Sequence, residues 1–133
     1  MTLQVQVVSP ERILWSGEAA MVTARTVDGG DISFLTGHAP FVGALETGKV
    51  TVRPAEGDDV HFAVHGGFVE VSNNEVTLLT DVAESAEWID IERATEARER
   101  AKAALAQAPD DAEAVAALRR AELRLAVSGA VPV

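Results

Sequence analysis

The 133-residue sequence contains no cysteine. That absence excludes disulfides, thiolate metal sites and cysteine nucleophiles, and it suits a reducing compartment. Basic residues are scarce: eleven Lys and Arg stand against twenty-one Asp and Glu, a formal net charge of −10. Contact with a phosphate backbone needs a basic footprint, so nucleic acid is not a partner. No apolar run approaches the ~18 residues that span a bilayer, and no direct membrane insertion is expected. The opening MTLQVQVV has no basic stretch ahead of its apolar residues, so neither a signal nor a transit peptide is expected there. GxSxG, the phosphate-loop GxxxxGK followed by Ser or Thr, HExxH and a helix-opening GxGxxG are all missing. His38, His61 and His65 do not stand at metal-ligand spacing and read as structural or surface residues.

What is present divides in two. The first 85 residues hold twelve acids and four bases, for −8, and the remaining 48 hold nine acids and seven bases, for −2. An acidic body of this kind fits a protein that docks on other proteins. The length allows one medium domain, or a compact domain with a small appendage. The hydrophobic rhythm changes within Asp81 to Ala94, DVAESAEWIDIERA. Before it, apolar residues alternate with a period near 2, and after it they recur near 3.6. The expected organisation is therefore a β unit over residues 1–85 and a helical unit over residues 86–133.

Within the first unit, LQVQVV alternates as a strand with Leu3, Val5 and Val7 on one face. Further short strands are expected at Ile13 to Trp15, Glu18 to Val27, Ile32 to Leu35, Phe41 to Leu45, Lys49 to Arg53, Val60 to Val64, Gly67 to Val71 and Glu75 to Leu79. Their separators are rich in turn formers. Eight or more short strands at this spacing predict an antiparallel β-sandwich or flattened barrel. Gly66 and Gly67 allow a bulge or a close backbone approach.

The second unit reads as two helices. One starts at Asp90, carries Ile91, Ala94, Ala101 and Leu105 on a stripe, and stops at Pro109. Asp110 with Glu113 resembles a capping box for the other, whose larger apolar residues are Val115, Leu118 and Leu125. A link this short makes an antiparallel αα-hairpin. Its stripes are mostly alanine and gain little from burial at ~25 cal/mol per Å², so the hairpin is expected to detach readily from the sandwich.

Four stretches now carry a resemblance: LQVQVVSPERILWSGEA, FLTGHAPFVGALETGKV, FAVHGGFVEVSNNEVTLLTDVAE and IDIERA. In order and spacing they resemble the epsilon subunit of the bacterial F-type ATP synthase, and together they cover Leu3 to about Ala106. The RRAELRLAV end also fits. One departure is SFLTGH, where the family usually has a Gly-Ile-Leu-Pro run before the histidine.

The resemblance implies an N-terminal β-sandwich of about ten strands and a C-terminal helical hairpin. It implies a non-catalytic central-stalk subunit of a proton-translocating synthase, peripheral on the cytoplasmic face of the bacterial plasma membrane. Its partners would be the gamma subunit and the c-ring for the sandwich, and the alpha and beta subunits for the hairpin, which would inhibit ATP hydrolysis. It places Thr36, Gly37, His38, Ala39 and Pro40 at the rotor contact, against the plainer reading of a tight surface turn.

The resemblance also implies a regulatory site. Ile89, Asp90, Arg93 and Ala94 match the nucleotide-binding motif of epsilon subunits that hold ATP between their helices. Arg100 lies two turns after Arg93, and Arg120 and Arg124 are four apart on the second helix. Arginine forks suit phosphate without a P-loop. The plainer reading is surface ion pairing, with Glu96 four residues before Arg100. No cofactor is required on either reading. Two other functional classes stay open here: a stand-alone β-sandwich enzyme using His38, His65 and nearby acids, and a free nucleotide sensor.

Overall fold

A computed structural model describes residues 2–129. The chain divides into two compact units between Ser85 and Ala86. In the first, nine strands are formed among the described residues: β1 (Leu3–Val8), β2 (Ile13–Thr26), β3 (Gly30–Leu35), β4 (Phe41–Leu45), β5 (Gly48–Pro54), β6 (Val60–Val64), β7 (Gly67–Ser72), β8 (Glu75–Thr80) and β9 (Ala83–Ser85).

The sandwich is organised by β2. Two strands were expected here, yet Ile13 to Thr26 is continuous. Its first half pairs with β1, from Val8↔Ile13 to Leu3↔Ala19. Its second half pairs with β3 and β5, and the register with β5 shifts between Ala19 and Met21. An irregularity of this kind bends a strand and lets it pass from one layer to the other. One layer is thus β4-β7-β8-β1 with the start of β2, and the other is β3, the end of β2, β5, β6 and β9.

The pairings are antiparallel except for β1 with β8, which run parallel from Gln4↔Glu75 to Val8↔Leu79. Alternation is the same in parallel and antiparallel strands, so the pattern of LQVQVV carries no sign of this. Inward residues from both layers form one core, among them Leu3, Val5, Val7, Val22, Phe34, Val52, Phe62, Val69 and Leu78. Gly67 has φ +125, and a Cβ there would collide with the Leu79 carbonyl oxygen. The close approach expected of the Gly66-Gly67 pair is present.

In the second unit a 3-10 turn (Ala86–Trp88) precedes α1 (Ile91–Gln107) and α2 (Ala112–Ser128), which lie against each other. Asp90 caps α1, its side chain accepting from the Arg93 backbone N–H at 3.0 Å. The cap of α2 is Asp111, not Asp110: Asp111 Oδ1 accepts from Ala114 N–H at 3.1 Å. Glu113, expected to complete a capping box, instead accepts from Arg120 Nη2 at 2.9 Å.

Ala94, Ala101, Ala114, Ala121 and Leu125 are buried, as a small-residue hairpin requires. Ile91 and Val115 were expected on the buried stripes, but they are 46% and 44% exposed. Ile91 opens α1, and Val115 follows the buried Ala114 by one residue, which turns its side chain about 100° away from the hairpin seam. Gly129, left-handed at φ +85, ends α2. Among the described residues, no helix is long and apolar enough to cross a membrane.

Candidate functional site

The two outer faces of the sandwich differ in chemistry. On the layer of β3, β2 and β5, the Thr23 and Ser33 hydroxyls meet at 2.8 Å, and Thr51 Oγ1 lies 3.0 Å from His61 Nδ1. Arg25 pairs there with Glu46 at 3.1 Å and Asp31 at 3.7 Å. Neighbouring polar groups satisfy one another on this face.

The opposite face carries an apolar row. Ala44, Phe68, Leu79, Val8 and Ile13 follow one another as cross-strand partners on β4, β7, β8, β1 and β2. Phe68 is 56%, Leu79 45% and Ile13 57% exposed. Five strands at ~4.8 Å spacing make the row roughly 19 Å long. The next rows are mixed and then polar, ending in Ser72, Glu75, Gln4 and Glu18. Sequence reading missed this face, although a signal exists. Val7-Val8, Ile13-Leu14, Phe68-Val69 and Leu78-Leu79 are apolar doublets that break the alternation by placing a hydrophobic residue outward.

The five residues Thr36 to Pro40 connect β3 to β4 at the end of the sandwich that holds the polar row. His38 N–H donates to Leu35 O at 3.0 Å, and His38 Nδ1 lies 2.6 Å from Ala39 O. The His38 ring stands edge-on to Phe34 and Phe41, with centroids at 5.0 and 6.3 Å. Gly37 N–H donates to Asn74 Oδ1 at 2.7 Å. Asn74 escapes sequence reading because it lies in a different hairpin. His65 is 7% exposed and its Nε2 lies 3.1 Å from Glu84 Oε1, which ties the end of β6 to β9. Among the described residues, no three His, Asp or Glu side chains gather as metal ligands.

In the helical unit, Arg100, Arg120 and Arg124 line one open groove of about 400 Å³, with Ala97, Ala101, Ala104 and Ala117 along it. The alanines leave the room, and the three arginines line it from both helices. Asp111 and Glu113 stand at its end. Ile89, Asp90, Arg93 and Ala94 do not line the groove: Ile89 and Ala94 are buried, Asp90 is occupied as the α1 cap, and Arg93 is exposed. The Glu96–Arg100 pair does not form, and among the described residues neither Arg93 nor Arg100 is paired with a carboxylate.

The chain thus joins a sandwich with one apolar outer face to a capped two-helix hairpin with an arginine-lined groove, the build of an accessory subunit. Residues 2–86 match the family model of the ATP synthase delta/epsilon chain β-sandwich domain, and residues 87–129 match that of its long α-helix domain. The chain belongs to the ATP synthase delta/epsilon family. It is similar to the ATP synthase epsilon chain of Streptomyces griseus, with 48% identity over 92% of both chains. To that of Moorella thermoacetica it is 42% identical over 98% of both.

Among solved structures it resembles a chain of the Euglena gracilis mitochondrial ATP synthase. The TM-score is 0.72 and the identity 26%, covering 96% of this chain and 78% of that one. A chain of the central stalk and c-ring of the Tetrahymena thermophila enzyme shares the fold at TM-score 0.55 and 15% identity. The family places this chain among the non-catalytic central-stalk components of ATP synthase, not among its catalytic chains.

Proposed function

We propose that this chain is a rotor subunit of a proton-translocating F-type ATP synthase at the cytoplasmic face of the bacterial plasma membrane. The observation that carries the reading is the apolar row on β4, β7, β8, β1 and β2. An exposed hydrophobic row across a whole sheet face, with a mostly polar face opposite, marks an interaction surface. Its occupant is the gamma subunit, which would set apolar side chains on the row and bases opposite Glu70 and Glu75. The Thr36 to Pro40 turn at the other end of β4 meets the c-ring, so the sandwich links the two rotor parts through separate surfaces.

The test is binding of gamma to Phe68→Asp. Phe68 is exposed, so the variant folds normally. A central aromatic anchor contributes about 2 kcal/mol or more, and affinity should fall at least about tenfold. Unchanged affinity would move gamma to another surface.

The helical unit supplies regulation. Its hairpin extends toward the alpha and beta subunits and inhibits ATP hydrolysis, and ATP held by the compact form shifts the population toward that form. Arg100, Arg120 and Arg124 take the phosphates in the groove, and the motif residues Ile89, Asp90, Arg93 and Ala94 act from outside it, at the start of α1. The groove volume falls in the range of small-molecule sites, and the Glu113–Arg120 pair is exposed enough to yield at little cost. Calorimetric titration with ATP should show saturable binding that is lost in Arg124→Ala and weakened in Arg93→Ala. No binding at millimolar ATP would return the arginines to a structural role and leave the rotor assignment standing.

A further inference from the structure

The tie between Gly37 and Asn74 joins residues 37 positions apart. Asn73 and Asn74 have φ values of 50 and 61, and their neighbours Ser72 and Glu75 are cross-strand partners. This is a two-residue hairpin turn with both central residues left-handed, the geometry in which Asn and Gly replace one another most easily. The Asn74 carbonyl accepts from Gln4 N–H at 2.8 Å, at the start of the parallel β1/β8 pairing. Its side-chain oxygen is therefore not needed to form the hairpin, and it reaches across to another loop.

Gly37 is the third residue of a turn closed by His38 N–H on Leu35 O, and its φ is +85. In a turn that favours glycine at this position the third N–H points outward and makes no bond within the turn. Here that N–H finds Asn74 Oδ1. The turn is thus held from one side by the Phe34 and Phe41 rings beneath His38, and from the other by a single side-chain amide.

We propose that Asn74 is a positioning residue for the Thr36 to Pro40 rotor contact. It acts through Gly37, holding the turn in the one shape that fits the c-ring surface. This rests on the reading of that turn as a rotor contact. Losing the tie leaves the sandwich folded but lets the turn sample shapes that do not bind.

The experiment uses the full chain. Asn74→Gly keeps the left-handed backbone and the carbonyl bond to Gln4 but deletes the acceptor. Asn74→Asp keeps an acceptor oxygen in place. Amide hydrogen exchange at Gly37 and affinity for purified c-ring carrying gamma are measured on both. A net hydrogen bond of this kind corresponds to a change of about threefold to tenfold. Gly37 exchange should quicken by that much in Asn74→Gly, rotor affinity should fall in step, and Asn74→Asp should restore both. Unchanged Gly37 exchange in Asn74→Gly would overturn the proposal.

A turn variant, Ala39→Asp, separates the two ideas, because Ala39 is exposed. If Ala39→Asp weakens rotor binding while Asn74→Gly leaves it unchanged, the contact reading stands and the role of Asn74 falls. If neither variant weakens binding, the turn is not a rotor contact and both readings fall.

Discussion

Gly67 shows how one residue can hold a sheet to its geometry. With φ +125 and the space of a side chain taken by the backbone of Leu79 and Thr80, it opens β7 directly opposite Thr80 of β8. Any side chain there must move a strand. Gly67→Ala should lower unfolding stability by about 1–3 kcal/mol from the backbone conformation alone, with the steric clash adding to it. Gly37 shares the positive φ but faces open space, so its constraint lies in the backbone only. Chemical denaturation of the two alanine variants should show the larger loss at Gly67, and equal losses would contradict the packing argument.

At the scale of elements, the helix starts separate two aspartates that look alike in sequence. Asp111 accepts from Ala114 N–H and has extended backbone angles, as a cap must, whereas Asp110 stands one residue outside. Asp111→Ala should cost about 1 kcal/mol and Asp110→Ala close to nothing, read from the melting of helical circular dichroism. A larger effect at Asp110 would mean that α2 begins earlier in solution. The spacing Asp110 to Glu113 suggested the wrong cap because Glu113 is engaged with Arg120 two turns along α2. A spacing rule cannot foresee that competition.

For the whole molecule, every strand pairing of the sandwich, β9 included, lies before Ala86. A chain ended after Ser85 should therefore keep the cooperative unfolding of the sandwich and its affinity for gamma, and lose ATP binding. Loss of the folded sandwich in that truncated chain would show that the helical unit is needed to hold it together. The same division separates the candidate sites: the apolar row and the Thr36 to Pro40 turn lie wholly on one unit, and the arginine groove lies wholly on the other.

The sequence by itself determined the rhythm of the chain and therefore its elements. Alternation placed strands such as Phe41–Leu45 and Val60–Val64 to the residue, and the shift to helical spacing after Asp81 placed the hairpin. These are local properties, set by which face of a few neighbouring residues is apolar. The order of strands, the parallel β1/β8 pair and the passage of β2 between layers depend on partners far along the chain, and no local pattern encodes them. The candidate sites divide in the same way. Arg120 and Arg124 were legible as a pair on one helix, but only folding set Arg100 beside them and left Arg93 outside the groove. Phe68, Leu79, Val8 and Ile13 become a surface, and Asn74 a support for Gly37, only when strand register brings distant residues within reach of one another.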